Sequence, residues 1–325
     1  MIRHLSRLLA CALTLAVIAL TAGAARAATG PTNCLIGAYL VSISQVDTAA
    51  GTFRADFWMW SVCPTSKTEP LKTVEFVNGV DTKGDLYSNL QRGQQWWATR
   101  KFSGVFRQDF SLSNYPFDRQ PLEISIEEGV DDARDLVYTV DGRNSGMDPA
   151  VDLPGWRLKN FKVIGGVTTH PTSYGDPSLP GGSSRYASLK MRVGVERAHA
   201  ENFIKAMFPV YIAALLALIS LLVTDGRMSL LGATTFAVVL SFVSVERVVG
   251  PHDGLYLVDQ IHFIALALIL ACTAWGVLSM RRLARGHDAH QQRQRDKLAA
   301  GVLALVYVVM NLAVVGLAIA AAARS

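Results

Sequence analysis

The second of four long apolar runs carries the residues best suited to contact water inside a membrane. It reads MSLLGATTFAVVLSFVSVERV from residue 228, with Asp225 before it and Glu246 and Arg247 near its end. Its hydroxyl residues are Ser229, Thr234, Thr235, Ser241 and Ser244. Hydroxyls and terminal charges suit a helix with one water-facing stripe. The same hydroxyls also suit close packing between helices, so both interpretations stay open.

No motif points to catalysis or to a bound cofactor. The sequence has no phosphate-binding glycine loop and no HExxH, CxxC or G-x-S-x-G pattern. We therefore predict no enzyme activity, cofactor or metal. Residues 28–200 contain 18 Lys or Arg and 19 Asp or Glu. That balance lacks the basic face that a nucleic-acid partner requires.

Two cysteines flank a predicted hairpin. Cys34 and Cys63 are centred on the turn sequence DTAAG at 47–51. If 34–46 pairs with 52–63 around that turn, the cysteines are cross-strand neighbours and can form a disulfide in an oxidising compartment. A bulge or a shifted turn would separate them.

The elements that must position these residues follow two different periods. From about 34 to 197 apolar and polar residues alternate, as in LEISIE at 122–127, and turn signals occur at 47–51, 78–84, 141–149 and 170–184. Many short alternating strands predict an antiparallel β-sandwich over residues 28–200. Residues 201–325 instead hold apolar runs at about 203–223, 228–248, 256–280 and 299–322, each long enough to span about 30 Å of hydrocarbon.

Charge and the N-terminal residues predict the topology. Residues 1–27 have basic Arg3 and Arg7, an apolar run and the ending Ala25-Arg26-Ala27, which is typical of a secretory signal peptide. The alternative is a further membrane span. Basic residues cluster between Arg281 and Lys297, so the first and third interhelical loops are expected in the cytoplasm and the β-domain outside it.

The sequence YPFDRQ at 115–120 resembles the signature loop of the pentameric ligand-gated ion channels, the Cys-loop receptor superfamily. Other segments match in family order: VEFVNGVD at 74–81, RGQQWWATRKFSGVF at 92–106, PGW at 154–156, VERAHA at 195–200, and Pro209 in the first span. The two cysteines that bracket the loop in animal receptors are replaced by Gln108 and Leu122. The chain is therefore similar to the prokaryotic branch.

The resemblance implies a fold and a location. It implies an all-β extracytoplasmic immunoglobulin-like sandwich, followed by an all-α four-helix transmembrane bundle, with a homopentamer around a central pore. The implied location is the bacterial inner membrane, in contact with membrane lipid, with the N-terminal domain in the periplasm.

The resemblance also implies which residues couple the two domains. Tyr115 and Phe117 would press on the loop between spans two and three, and Pro116 would fix the turn. Asp118 would pair with Arg197 at the end of the last strand. An acidic residue on the 47–51 turn is expected to be a further coupling residue. Asp47 fills that position, although Thr48 is an alternative.

Alignment with the family makes Arg227 the cytoplasmic base of the second helix. With that register and helical spacing, the lumen stripe comprises Ser229, Ala233, Phe236, Leu240 and Val243. Asp225 and Glu246 would form acidic rings at the two mouths, which favours monovalent cations. Arg227 is expected to point away from the lumen.

The implied ligand site lies between adjacent sandwiches under a loop at 169–186. The expected residues are Glu127, Trp96, Trp97, Tyr174 and Tyr186, with one of the two tryptophans facing the site. Aromatics and an acid suit an amine. A proton is the alternative agonist, because His170 and the acids from Glu127 to Asp135 could also titrate.

Two other classes of protein compete with a channel. One is a non-conducting periplasmic receptor anchored by its spans, which the lack of a large cytoplasmic domain weakens. The other is a secondary transporter, which usually carries ionisable residues in the middle of its spans. Here Lys205, Asp259 and His262 lie near the span ends.

Overall fold

The computed structural model describes residues 30–179, 181–197, 199–250 and 254–322, without the side chains of 199–202. The predicted signal peptide, 1–27, lies outside the described residues. Within them, a series of strands with one short helix precedes four long helices. The predicted order, a β-rich domain followed by a helical region, is confirmed.

The strands of the N-terminal domain form two sheets. One has the order β4-β5-β2-β1-β7, with β8 also paired to β1, and the other has the order β3-β6-β10-β9. Most neighbours are antiparallel, whereas β7 and β8 run parallel to β1. The elements are β1 (Thr32–Asp47), β2 (Thr52–Cys63), α1 (Pro70–Thr73), β3 (Val74–Phe76), β4 (Gly79–Arg92), β5 (Gln95–Arg107), β6 (Arg119–Asp132), β7 (Leu136–Val140), β8 (Gly146–Met147), β9 (Trp156–His170) and β10 (Ser184–Arg197).

The alternation in the sequence decides which face of each strand enters the core. In β6, Leu122, Ile124 and Ile126 are buried, and the residues between them are less buried. Residues of both sheets share one hydrophobic core, which contains packed rings of Phe53, Phe57, Phe76, Phe102 and Phe106. Successive strand side chains point to opposite faces, so each sheet buries one face against the other.

The predicted turn at 78–84 is correct only at its start, because the chain turns at residues 77–78. Residues from Gly79 onwards belong to β4, which pairs with β5 at the edge of its sheet. The pairing shifts between Gly79 and Asp81 and again between Asp85 and Ser88. An edge strand with bulges tolerates glycine and aspartate because one side of it makes no ladder bonds.

Four long helices follow the sheets: α2 (His199–Ser220), α3 (Arg227–Val249), α4 (Leu257–Ala284) and α5 (Ala289–Ala322). By length and apolar composition all four could cross a membrane, which indicates a multi-pass membrane protein. Helix α3 packs against α2 and α4, and α5 packs against α4 and α2. Helices α3 and α5 therefore lie on opposite sides of the bundle.

The basic segment between the last two helices is more helical than the sequence suggested. The predicted apolar runs end at 280 and restart at 299, whereas α4 continues to Ala284 and α5 begins at Ala289. Arg281, Arg282 and Arg295 therefore extend from helices rather than from a loop. Lys and Arg have good helix propensity, so a helix continues past its apolar part.

The hairpin of β1 and β2 carries the predicted disulfide. Leu35 lies opposite Val62 in the register, and Cys34 is bonded to Cys63 with their Cα atoms 4.5 Å apart. Both cysteines are buried in the core. The bond therefore joins two neighbouring strands at the end of the hairpin opposite its turn.

Removing this disulfide is expected to destabilise the protein. The bond closes a loop with a sequence separation of 29 residues. In the chain-entropy model that loop corresponds to about 3–4 kcal/mol. The double variant Cys34→Ser/Cys63→Ser should therefore melt at a lower temperature than the wild type in detergent. Reductant should lower the melting temperature of the wild type and leave that of the variant unchanged; an equal response of both proteins would contradict the bond.

Candidate functional site

The junction between the sheets and the helices is organised around one buried ion pair. Arg197, the last residue of β10, donates from Nε to Asp118 Oδ1 at 2.9 Å and from Nη2 to Oδ2 at 3.3 Å. Gln120 Nε2 also donates to Asp118 Oδ2, at 3.1 Å. Asp118 is only 3% exposed. The structure thus brings together the two charged residues that the sequence paired.

Two aromatic rings enclose the guanidinium of Arg197. Its carbon lies 4.9 Å from the ring centroid of Tyr115 and 4.1 Å from that of Trp156. Burial raises the pKa of Tyr115, so the phenol stays neutral. A planar guanidinium can stack on aromatic faces while its edge binds a carboxylate. Arg197 is therefore contacted by two aromatic rings while its Nε and Nη2 bind Asp118.

The loop that contains Tyr115 contacts the helices directly. Tyr115 is buried among apolar helix residues, and the peptide bond before Pro116 is cis. Phe117 packs on Phe203 of α2, with ring centroids 5.3 Å apart. The amide of Leu257, the first residue of α4, donates to the carbonyl of Ser113 at 3.0 Å. This loop therefore contacts α2 and the start of α4, while residues 251–253 of the α3–α4 connection lie outside the described structure.

The β1–β2 turn makes the contact with the end of α3. Thr48 Oγ1 donates to the carbonyl of Val248 at 2.9 Å. Asp47 instead accepts bonds from the amides of Ala49 and its neighbour at 50, within its own turn. Gly250 caps α3 with φ of 77°, and a Cβ there would lie 3.4 Å from the Cα of Ala49. Of the two alternatives on this turn, Thr48 is the residue that contacts the helix.

Helix α3 has one face covered by the bundle and another left open. The covered face comprises Arg227, Leu231, Thr234, Val238, Ser241, Val245 and Val249. The residues predicted for the lumen lie outside it, and all are exposed: Ser229, Ala233, Phe236, Leu240, Val243 and Glu246, with Asp225 exposed before the helix. Three large apolar side chains dominate that face, since Phe236, Leu240 and Val243 are 66%, 51% and 41% exposed.

Arg227 points into the bundle, away from the open face. Its Nη2 lies 3.0 Å from Asp296 Oδ2, and its Nε and Nη2 also donate to carbonyls at the end of α2. Asp296 accepts further bonds from Trp275, Ser279 and Gln292. This pair is almost fully buried. It joins the start of α3 to α4 and α5.

Some hydroxyl residues of α3 pack against the bundle, as one interpretation of the sequence predicts, and others lie on the open face, as the other interpretation predicts. Thr234 and Ser241 are buried, and Ser241 Oγ lies 3.2 Å from Nε2 of His262 on α4. Ser229 is exposed, and Ser244 is exposed while donating to the carbonyl of Leu240. Part of the hydroxyl signal therefore reflects helix packing, and only part belongs to the open face.

The predicted ligand residues occupy two separate regions of a single chain. Glu127 Oε2 lies 2.8 Å from His170 Nε2 at the end of β9. The ring of His170 lies 5.8 Å from Tyr174 and 6.1 Å from Tyr186. Both tyrosines predicted for the ligand site thus surround a histidine that already contacts the predicted acid.

The two tryptophans lie on the other sheet. Trp96 and Trp97 are neighbours on β5, opposite Cys63 and Val62 of β2. Since Ala98 is buried in the core, alternation places Trp96 on the core side of β5 and Trp97 on the outer side. The guanidinium of Arg92 lies 5.8 Å from the ring of Trp97. Trp97 is thus the tryptophan available to an external partner.

Four contacts at the junction were not predicted. They involve Gln120, Trp156, Phe203 and Leu257. The burial of Gln120 could have been predicted from the sequence, because Gln120 alternates in register with Leu122 and Ile124, which face the core. The other three contacts join residues far apart in the chain and left no local pattern.

Asp118→Asn is expected to destabilise the junction, because the partly buried Arg197 would lose its counter-charge. Breaking a buried pair on one side costs about 3–5 kcal/mol. Glu123→Gln is the matched control, since Glu123 also pairs with two cations, Lys190 and Arg192, but on the exposed face of the same sheet. Its cost should stay below about 1 kcal/mol. Melting temperatures of the two purified variants check this, and equal shifts would contradict the special role of Asp118.

Comparison with known proteins adds no evidence about function. No protein-family model and no curated protein matches the chain. The geometry above and the sequence resemblance therefore carry the interpretation together.

Proposed function

We propose that the chain is one subunit of a homopentameric, cation-selective, ligand-gated ion channel. In this proposal α3 lines the pore, the β-domain lies in the periplasm of a bacterium, and agonist binding between neighbouring β-domains opens the pore. The observation that carries the proposal is the open face of α3, whose exposed residues include all those assigned to a lumen from the sequence.

Symmetric assembly would cover that face. Helix α3 exposes large apolar side chains on the side opposite α5, and acidic Asp225 and Glu246 stand near its two ends. Oligomers built from one kind of chain usually have closed symmetry, and a head-to-tail interface that closes gives a ring. With α3 nearest the axis, Phe236, Leu240 and Val243 would form apolar rings that exclude ions by dewetting.

The contacts at the junction would transmit a movement of the β-domain to the pore. Thr48 contacts the end of α3, and Ser113 contacts the start of α4. The β-domain therefore contacts residues on both sides of the connection between α3 and α4. Arg197 joins the last strand to α2 and is bound to the loop that carries Asp118. A rotation of the sheets would act on all three helices.

The contact between Glu127 and His170 supports a cationic ligand for the site. Two tyrosines near the pair provide aromatic faces, which favour a cation through their quadrupoles. A protonated His170 would itself pair with Glu127, whereas an amine would have to displace His170 from Glu127. Amine and proton thus remain the two candidate agonists, and they compete for one carboxylate.

The pore assignment is tested without knowledge of the agonist. Leu240→Ser should hydrate the apolar constriction and raise the leak current of proteoliposomes, because a hydroxyl lowers the barrier to water. Val239→Ser is the matched control, since Val239 is also exposed, at 45%, but lies outside the proposed stripe. Equal leak from both variants, or from neither, would argue against a pore lined by Leu240.

Cation selectivity is tested by the reversal potential in a NaCl gradient. In the Leu240→Ser background the potential should follow the sodium gradient, and Asp225→Asn should move it toward zero, because a ring of carboxylates attracts cations. Asp288→Asn removes an exposed acid from the α4–α5 loop and should leave the potential unchanged. A potential that follows chloride would falsify the assignment. Particles without a central axis would favour the anchored receptor instead.

A further inference from the structure

A cavity at the end of the bundle farthest from the sheets brings charged residues of different segments together. It lies between the α2–α3 connection, the end of α4 and the first turns of α5, and its volume is about 570 Å³. Its charged lining residues are Asp225, Arg227, Arg293, Asp296 and Lys297. The cavity therefore places Asp225, the acid proposed for the cytoplasmic mouth of the pore, beside cations of α5.

Two of these five charges neutralise each other. Arg227 Nη2 lies 3.0 Å from Asp296 Oδ2, and both side chains are buried. Asp225, Arg293 and Lys297 are exposed instead. Among the residues that the structure describes, none of these three forms an ion pair. The cavity therefore holds one carboxylate and two cations whose charges are not compensated by a direct partner.

The two cations are close enough to Asp225 to act on it through solvent. Arg293 and Lys297 are four residues apart in α5, so both lie on one face of that helix. A cavity of this volume is roughly 10 Å across, and the Debye length is about 10 Å at 0.1 M salt. Charges on its opposite walls are therefore only partly screened from one another at physiological or lower ionic strength.

Cations at the cytoplasmic ends of membrane helices usually extend into water and act only on topology. Arg281 and Arg285, at the end of α4, fit that description, because both are exposed and neither lines the cavity. Arg293 and Lys297 differ from them because they share a cavity with an exposed carboxylate. The two pairs carry the same charge at the same end of the bundle, which makes one pair a control for the other.

We propose that Arg293 and Lys297 set how strongly the ring of Asp225 attracts cations, because they draw its carboxylates toward α5 and weaken the negative potential at the cytoplasmic mouth. This inference rests on the proposed channel, in which five copies of Asp225 surround the axis. Each carboxylate is then opposed by two cations of the same subunit. Residues on a helix that does not line the pore therefore determine its ion selectivity, and their influence fades as salt screens it.

The test measures single-channel currents of the full-length protein in planar bilayers, in the Leu240→Ser background that needs no agonist. Arg293→Gln/Lys297→Gln should raise the cation current about two- to fivefold at about 0.05 M NaCl, because the carboxylate ring then attracts more cations. At 1 M NaCl, where the Debye length is about 3 Å, the currents should be nearly equal. Arg281→Gln/Arg285→Gln removes the same charge outside the cavity and should leave the current unchanged at both salt concentrations.

Adding Asp225→Asn decides whether the cations act through that carboxylate. In this background Arg293→Gln/Lys297→Gln should change the current far less, because the group on which the cations act is gone. An equal increase with and without Asp225, an equal increase in the α4 control, or no increase at low salt would each overturn the inference and leave a cation channel in place. If the Leu240→Ser protein carries no current at all, the proposed pore fails, and this inference fails with it.

Discussion

The arrangement of the molecule depends on the buried ion pair between Arg197 and Asp118. Arg197 ends the last strand immediately before the first long helix, so its position decides where the helices begin relative to the sheets. Removing a guanidinium and a carboxylate from water is costly, and the cost is offset only when each finds its partners. Asp118, Gln120 and the rings of Tyr115 and Trp156 supply those partners. The pair therefore defines one relative placement of the two regions.

Helix α3 is held at both ends and left open between them. At the end near the sheets, Thr48 and Ala49 lie against Val248 and Gly250. At the far end, Arg227 is anchored by Asp296. Between these anchors one face packs on α2 and α4, and the other has no cover within the chain. A long apolar face on a helix without its own cover is completed by lipid or by other copies, and the proposed channel takes the second solution.

Sequence patterns predicted the elements with short-range signals. Alternation located the buried face of β6, the four apolar runs located the long helices, and the spacing of Cys34 and Cys63 about a turn identified the disulfide. The pattern placed the turn at 78–84 too far along the chain, because an edge strand accommodates most of those turn-forming residues. It also failed between the last two helices, where basic residues extend the helices. In both places the residues suit more than one structure, and neighbouring elements decided between them.

In the candidate site, too, some contacts could be predicted from the sequence and others could not. The resemblance paired Asp118 with Arg197, and these two residues form an ion pair. It also assigned a stripe on α3, whose residues are exposed in the single chain. The choice between Asp47 and Thr48, the packing of Phe117 on Phe203, and the division of the α3 hydroxyls between two faces depend on contacts between distant segments.

The sequence alone determined the class of architecture, the order of its two regions and the charged pair between Asp118 and Arg197. These follow from hydrophobic period, run length and recognisable short segments, which are properties of neighbouring residues. Only the tertiary structure decided which side chains share a surface, which charge is buried and which helix face stays open. Those outcomes depend on packing across the chain, because a side chain's surroundings are set by elements that the local sequence does not contain.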